Sequence, residues 1–143
     1  MFSFVKNLFF PRRTQTIQTG AYYAIRYDEE TYKVLKVLAV DEAGGKPYGV
    51  HIRLYGRRFA QPPTKVGKPE ELDVTAQVPP GQALTIGAAL AALKPDEMTM
   101  GHLPYTYEAF LRMAPRFIQA GEVEAAELEG YRIWKEDGGG YWT

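Results

Sequence analysis

The most regular alternation of apolar and polar positions lies at 48–59. Val50, Ile52 and Leu54 alternate with His51, Arg53 and Tyr55. A period of two predicts a strand with one face buried and one face wet. Gly56 ends it, and Arg57-Arg58-Phe59 follow as a basic, aromatic tip. Upstream, Tyr23, Ile25 and Tyr27 alternate within 20–27, and Asp28-Glu29-Glu30 predicts a turn. Residues 31–40 carry apolar and β-branched side chains on both sides, the pattern of a central strand buried on both faces. Gly44-Gly45 and Pro47 mark a loop. Three strands with short polar connections predict an antiparallel meander that curls into a small barrel or a strongly twisted sheet.

Pro62-Pro63, Pro69 and Pro79-Pro80 then break regular structure over 61–85. Pro69-Glu70-Glu71-Leu72 predicts one helical turn with proline at its start. The alanine run predicts a helix from Ile86. Residues 98–104 predict a short extended piece on the sheet. Residues 106–113 predict a helix with Thr106 as cap, Pro115 as stop, and Phe110, Leu111 and Met113 toward the core. Phe117-Ile118 predicts a return to the sheet edge. Residues 122–134 predict the clearest helix, with glutamates early, Arg132 and Lys135 late, and Val123, Leu128, Tyr131 and Trp134 on one face. Gly138-Gly139-Gly140 ends it, and Tyr141-Trp142 predicts a last short pairing. The expected organisation is a single domain over 1–143: an N-terminal segment 1–16, an antiparallel sheet 17–60, a proline-rich wrap 61–85 and a helical part 86–143. The expected class is α+β, a curled antiparallel sheet or small SH3-like barrel followed by a helical C-terminal part.

Composition narrows the chemistry. Lys and Arg number 17, as do Asp and Glu, so the zero formal net charge gives no general electrostatic grip on nucleic acid. There is no cysteine, which excludes disulfides, thiolate zinc sites and cysteine nucleophiles and agrees with a cytoplasmic location. Residues 1–10 are apolar but too short to span a bilayer, so no transmembrane segment is expected there; docking on the body is the favoured reading, with a partner or membrane anchor as the alternative. Ten tyrosines, seven phenylalanines and two tryptophans supply either core or an aromatic interaction surface.

Catalytic motifs are not found. The glycine runs match neither a dinucleotide nor a phosphate-binding loop, and serine occurs only at position 3. His51 and His102 are the only histidines, and their spacing predicts no metal site. Either would need Asp41 or Glu108 beside it to read as catalytic, a juxtaposition the sequence does not place. The best candidate binding surface is Arg53, Tyr55, Arg57, Arg58 and Phe59, side chains suited to acidic partners, phosphates or stacked bases.

The segment from Gly20-Ala21-Tyr22-Tyr23-Ala24-Ile25 through Val50-His51-Ile52-Arg53-Leu54-Tyr55 and Arg58-Phe59 resembles small, uncharacterised bacterial proteins. So do Gly101-His102-Leu103-Pro104 and Leu128-Glu129-Gly130-Tyr131-Arg132-Ile133-Trp134. The N-terminal strands are also distantly similar to the all-β immunity proteins of bacterial polymorphic toxin systems. That resemblance implies a cytoplasmic, non-enzymatic binder of a toxin partner, and it carries no site residues with it. The expected function is a soluble, non-enzymatic protein-binding module, in its specific form an immunity-type inhibitor of a bacterial toxin, with no cofactor and no metal. The alternative is a nucleic-acid-binding small β-barrel, and a third is an enzyme built around His51 or His102.

Overall fold

A computed structural model describes residues 17–74 and 97–143. The readings for 1–10, for the helix from Ile86 and for the later part of the wrap lie outside the described residues. Strand β1 (Tyr22–Arg26), β2 (Tyr32–Ala43) and β3 (Lys46–Leu54) form the meander. A 3₁₀ turn follows at Pro69–Leu72, with the proline in its first turn. Strand β4 (Met100–Thr106), helix α1 (Tyr107–Arg112) and strand β5 (Arg116–Gln119) come next. A 3₁₀ turn at Ala125–Leu128 and helix α2 (Glu129–Glu136) close the chain.

The strands form one antiparallel sheet in the order β4-β3-β2-β1-β5. This α+β arrangement agrees with the expected class. The sheet is open, with β4 and β5 at opposite ends of the order, so the expected closure into a small barrel does not form among the described residues. Each edge of the meander recruits a strand from the second half of the chain instead. The outer side of β4 also takes the C-terminus: Trp142 N–H donates to Pro104 O at 2.7 Å, and Thr106 N–H donates to Trp142 O at 2.8 Å.

The alternation within β3 decides what each face holds. Val50 and Ile52 join Tyr23, Ile25, Leu35, Val37, Leu103 and Phe110 in an apolar cluster on one face. Helix α1 covers that face. Thr106 caps it by accepting the Ala109 N–H at 3.1 Å, and Phe110 is 1% exposed. Leu111, expected in the core, points outward instead, because a helix of six residues offers the sheet only one narrow stripe.

The other face holds Lys36, Arg53, His51 and Tyr55. Tyr22, Val34, Tyr55, Val66 and Leu72 make a second cluster there, sealed by the segment after β3. The long helix expected over 122–134 is shorter than its pattern: α2 begins at Glu129. The preceding residues are held otherwise. Lys36 Nζ donates to Glu122 O at 2.6 Å and to Glu127 Oε1 at 2.9 Å, and the Glu127 carboxylate accepts the Glu124 N–H at 2.9 Å. A carbonyl that meets a buried ammonium is not available to a regular helical turn. Among the described residues no helix is long and apolar enough to cross a membrane.

Candidate functional site

Two features bring Asp41 onto the face that carries His51. In the β2–β3 ladder Val37 pairs with Ile52 and Ala39 with His51, leaving Leu38 as an extra residue in β2. That bulge reverses the alternation, so Lys36 and Asp41, five positions apart, share a face. On the neighbouring strand His51 pairs with Pro104, which puts His102 two residues along the same face.

The three side chains then form a line. Asp41 Oδ2 lies 2.6 Å from His51 Nε2, and His51 Nδ1 lies 2.8 Å from His102 Nε2. The histidine rings are nearly parallel, 11° apart, with centroids at 5.0 Å. Tyr131 OH donates to Asp41 Oδ1 at 2.7 Å, and Tyr141 OH donates to Asp41 Oδ2. Trp134 closes the group, its ring 4.5 Å from His51 and 6.0 Å from His102. His51 is fully buried and His102 half-buried.

Proton positions follow from the partners. A carboxylate accepts, so His51 donates from Nε2 and accepts at Nδ1, and His102 donates from Nε2. Burial alone would raise the Asp41 carboxyl, but the hydrogen bonds from Tyr141, His51 and Tyr131 outweigh it and hold it below its ordinary range. Burial lowers His51 despite the Asp41 carboxylate. Burial and the adjoining His51 push His102 down to about 4. Burial and Asp41 push the Tyr131 hydroxyl up to about 12 and raise Tyr141 as well. At neutral pH the line is one carboxylate and two uncharged rings. His51 uses opposite nitrogens for its two partners, so the groups do not converge on a point; among the described residues no cluster suits a metal ion.

Glycines make room for this packing. A Cβ on Gly49 would sit 2.3 Å from the Tyr141 ring, and one on Gly130 would sit 2.7 Å from His102 Cβ. The two aromatic residues on α2, at helical spacing, carried a sequence signal as an apolar face. Asp41 was one of the two carboxylates weighed beside a histidine, but no pattern marks the bulge that puts it there.

The five residues expected as one binding surface separate. Tyr55 is buried, 3% exposed, stacked on Tyr22 with centroids at 6.3 Å. It is not a surface group, because β3 turns it under the segment that carries Val66 and Leu72. Arg53 is half-buried, 5.5 Å over the Tyr55 ring, and lines a cleft of about 190 Å³ with Glu70, Asp73 and Glu127. Arg57, Arg58 and Phe59 follow the end of β3, with the two arginines turned to different neighbours. Arg57 lies 5.4 Å over the Phe59 ring and donates to Glu71 O at 2.9 Å. Arg58 lies 5.7 Å over the Tyr27 ring and 3.8 Å from Asp28. Phe59 is fixed by mutual backbone hydrogen bonds with Tyr32, both 2.8 Å. Glu108, the other carboxylate weighed beside a histidine, lies exposed on α1.

No family model, no curated protein and no solved structure matches this chain.

Proposed function

We propose that the chain is a non-enzymatic protein-binding module that works by covering a partner's surface, with an immunity-type inhibitor of a bacterial toxin as the specific form of that role. The observation that carries this reading is the pair of exposed arginines at the end of β3, each laid against an aromatic ring. A guanidinium held over a ring loses less side-chain freedom on binding, and a partner's carboxylates would compete with the contacts these arginines make to Glu71 O and Asp28. An acidic protein surface is the chemistry it suits. The Asp41–His51–His102 line supports the same reading from the other side. Asp41 and His51 are spent on one another, on His102 Nε2 and on Tyr131 and Tyr141, and Trp134 packs against both histidine rings. A cytoplasmic location goes with this proposal, on the strength of the cysteine-free composition.

The test is affinity capture from native lysate with the wild-type chain and with R57E/R58E. A stoichiometric protein partner held by the first and weakened at least tenfold by the second is the expected result. Equal capture by both, or capture of none, overturns the reading. A salt-dependent shift with single-stranded oligonucleotides would replace it with the nucleic-acid alternative.

A further inference from the structure

The C-terminal segment is fastened to the sheet in an unusual way. Helix α2 contributes no fully buried residue. Its hold on the sheet runs through Tyr131 on Asp41 and Trp134 on the two histidine rings, and the tail adds Tyr141 on Asp41 and the two backbone hydrogen bonds of Trp142 to β4. We propose that Asp41, His51 and His102 form an acid-released latch that holds α2 and the tail to the sheet, with the Lys36–Glu127 pair as the hinge that stays closed.

The places open to added protons decide when the latch lets go. Neutral His51 carries its proton on Nε2, facing Asp41, and neutral His102 carries its proton on Nε2, facing His51. A first added proton goes to His102 Nδ1, on the far side of that ring, and leaves the line intact. A second has no place. His51 Nδ1 already accepts the His102 N–H across 2.8 Å. Protonating it sets two N–H groups face to face and two positive rings in contact, and the rings must part. The groups facing the line are Asp41 from β2, Tyr48 from β3, Tyr131 and Lys135 from α2, and Tyr141 from the tail. Asp41 is the only anion among them, and it already accepts three donors. Lys135 is a cation that opposes charge on His51.

The direction with pH follows. An exposed histidine binds its proton near pH 6.5, while closure holds His102 to about 4. Protons therefore bind better to the open form. Opening grows as pH falls from about 6.5 toward 4, by up to roughly tenfold per pH unit for each proton taken up. The Glu124 N–H and the Lys36 ammonium hold the Glu127 carboxyl below its ordinary value against the effect of burial. The hinge therefore outlasts the latch. Release uncovers Asp41, His51 and His102 together with the outer side of β4, where Trp142 pairs in the closed form.

The experiment uses the full chain carrying W142F, which leaves Trp134 as the single tryptophan. Trp134 emission and amide exchange, corrected for intrinsic rate, are followed from pH 7.5 to 4. The expected result is a red shift of emission and at least a tenfold rise in exchange over 129–142 while 33–38 stay protected. H102Q, which keeps a donor toward His51 but takes no proton, should move the midpoint to lower pH. K135Q, on the surface, removes a cation that opposes charge on closed His51 and should also move it to lower pH. A midpoint unmoved by both substitutions overturns the proposal, as does loss of protection at 33–38 in step with 129–142.

Discussion

On one face of the sheet, α1 lays Phe110 against Tyr23, Leu35, Val37, Val50 and Ile52. On the other, residues 122–141 meet Lys36, Asp41 and His51 through charge, hydrogen bonds and ring edges. The first closure is apolar and draws its strength from area removed from water, which does not change with pH. The second is polar. It holds only while every buried donor and acceptor has its partner, because an orphaned one costs about 1–3 kcal/mol. The difference teaches that one sheet can carry a cover indifferent to protons and a cover governed by them.

The largest expected effect tests the apolar side. Phe110→Ala removes a fully buried ring that meets Tyr23 edge to face at 5.9 Å. Chemical denaturation should show a loss of about 3–5 kcal/mol. The same loss is expected at pH 7 and at pH 5. A loss that changed markedly between the two would break the contrast between the faces.

The next effect tests the polar side at its hinge. Lys36→Met takes away the donor that serves both Glu122 O and the Glu127 carboxylate. The expected loss is about 2–3 kcal/mol, for a partly buried carboxylate left without its cation. Glu127 titrates lower in the folded chain than its ordinary 4.5. Its contribution is present above that value and is lost as pH falls through the folded one. Lys36→Met should flatten this acid limb, measured as stability against pH below about 4.5. Replacing both partners by apolar residues should recover most of the loss.

The two faces were not equally legible in the sequence. The apolar one was, because Val50, Ile52 and Leu54 repeat every second residue and Thr106 marks a helix start. The positions of β4, α1 and β5 agree with local signals of that kind, and the strands that β4 and β5 pair with do not follow from them. The polar face was legible only in fragments. His51, Arg53 and Tyr55 were correctly placed together on one side of β3, but which of them stay exposed depends on a distant segment, and 60–72 buries Tyr55. Asp41 was out of phase with Lys36 until the bulge at Leu38 shifted it. Residues 122–128 looked helical by charge and spacing, and a single buried lysine on β2 overrode that preference. Periodicity reports what one strand or helix does alone. It does not report a bulge or a contact made across 86 or more positions.

Gly49→Ala probes the latch from the strand beneath it. The new Cβ would overlap the Tyr141 ring, which has to swing away and release Asp41. A loss of about 1.5–3 kcal/mol is expected, the worth of one hydrogen bond to a charged acceptor. Asp41 would then lose a donor that keeps its carboxyl low. Its protonation should move to higher pH, read by carboxyl carbon NMR. An unshifted Asp41 would mean that Tyr141 does not help to hold the charge.

The smallest effect returns to the apolar face. Thr106→Ala removes the oxygen that accepts the Ala109 N–H at the start of α1. Caps of this kind contribute about 1 kcal/mol, and Thr106→Ser should restore most of it. Because α1 lies on the face away from the latch, amide exchange over 129–142 should keep its dependence on pH in the alanine variant. Thr106 also donates its backbone N–H to Trp142 O, and alanine keeps that bond. A side-chain change that loosened the tail would therefore show the two covers to be coupled through β4, and the division between the faces would have to be redrawn.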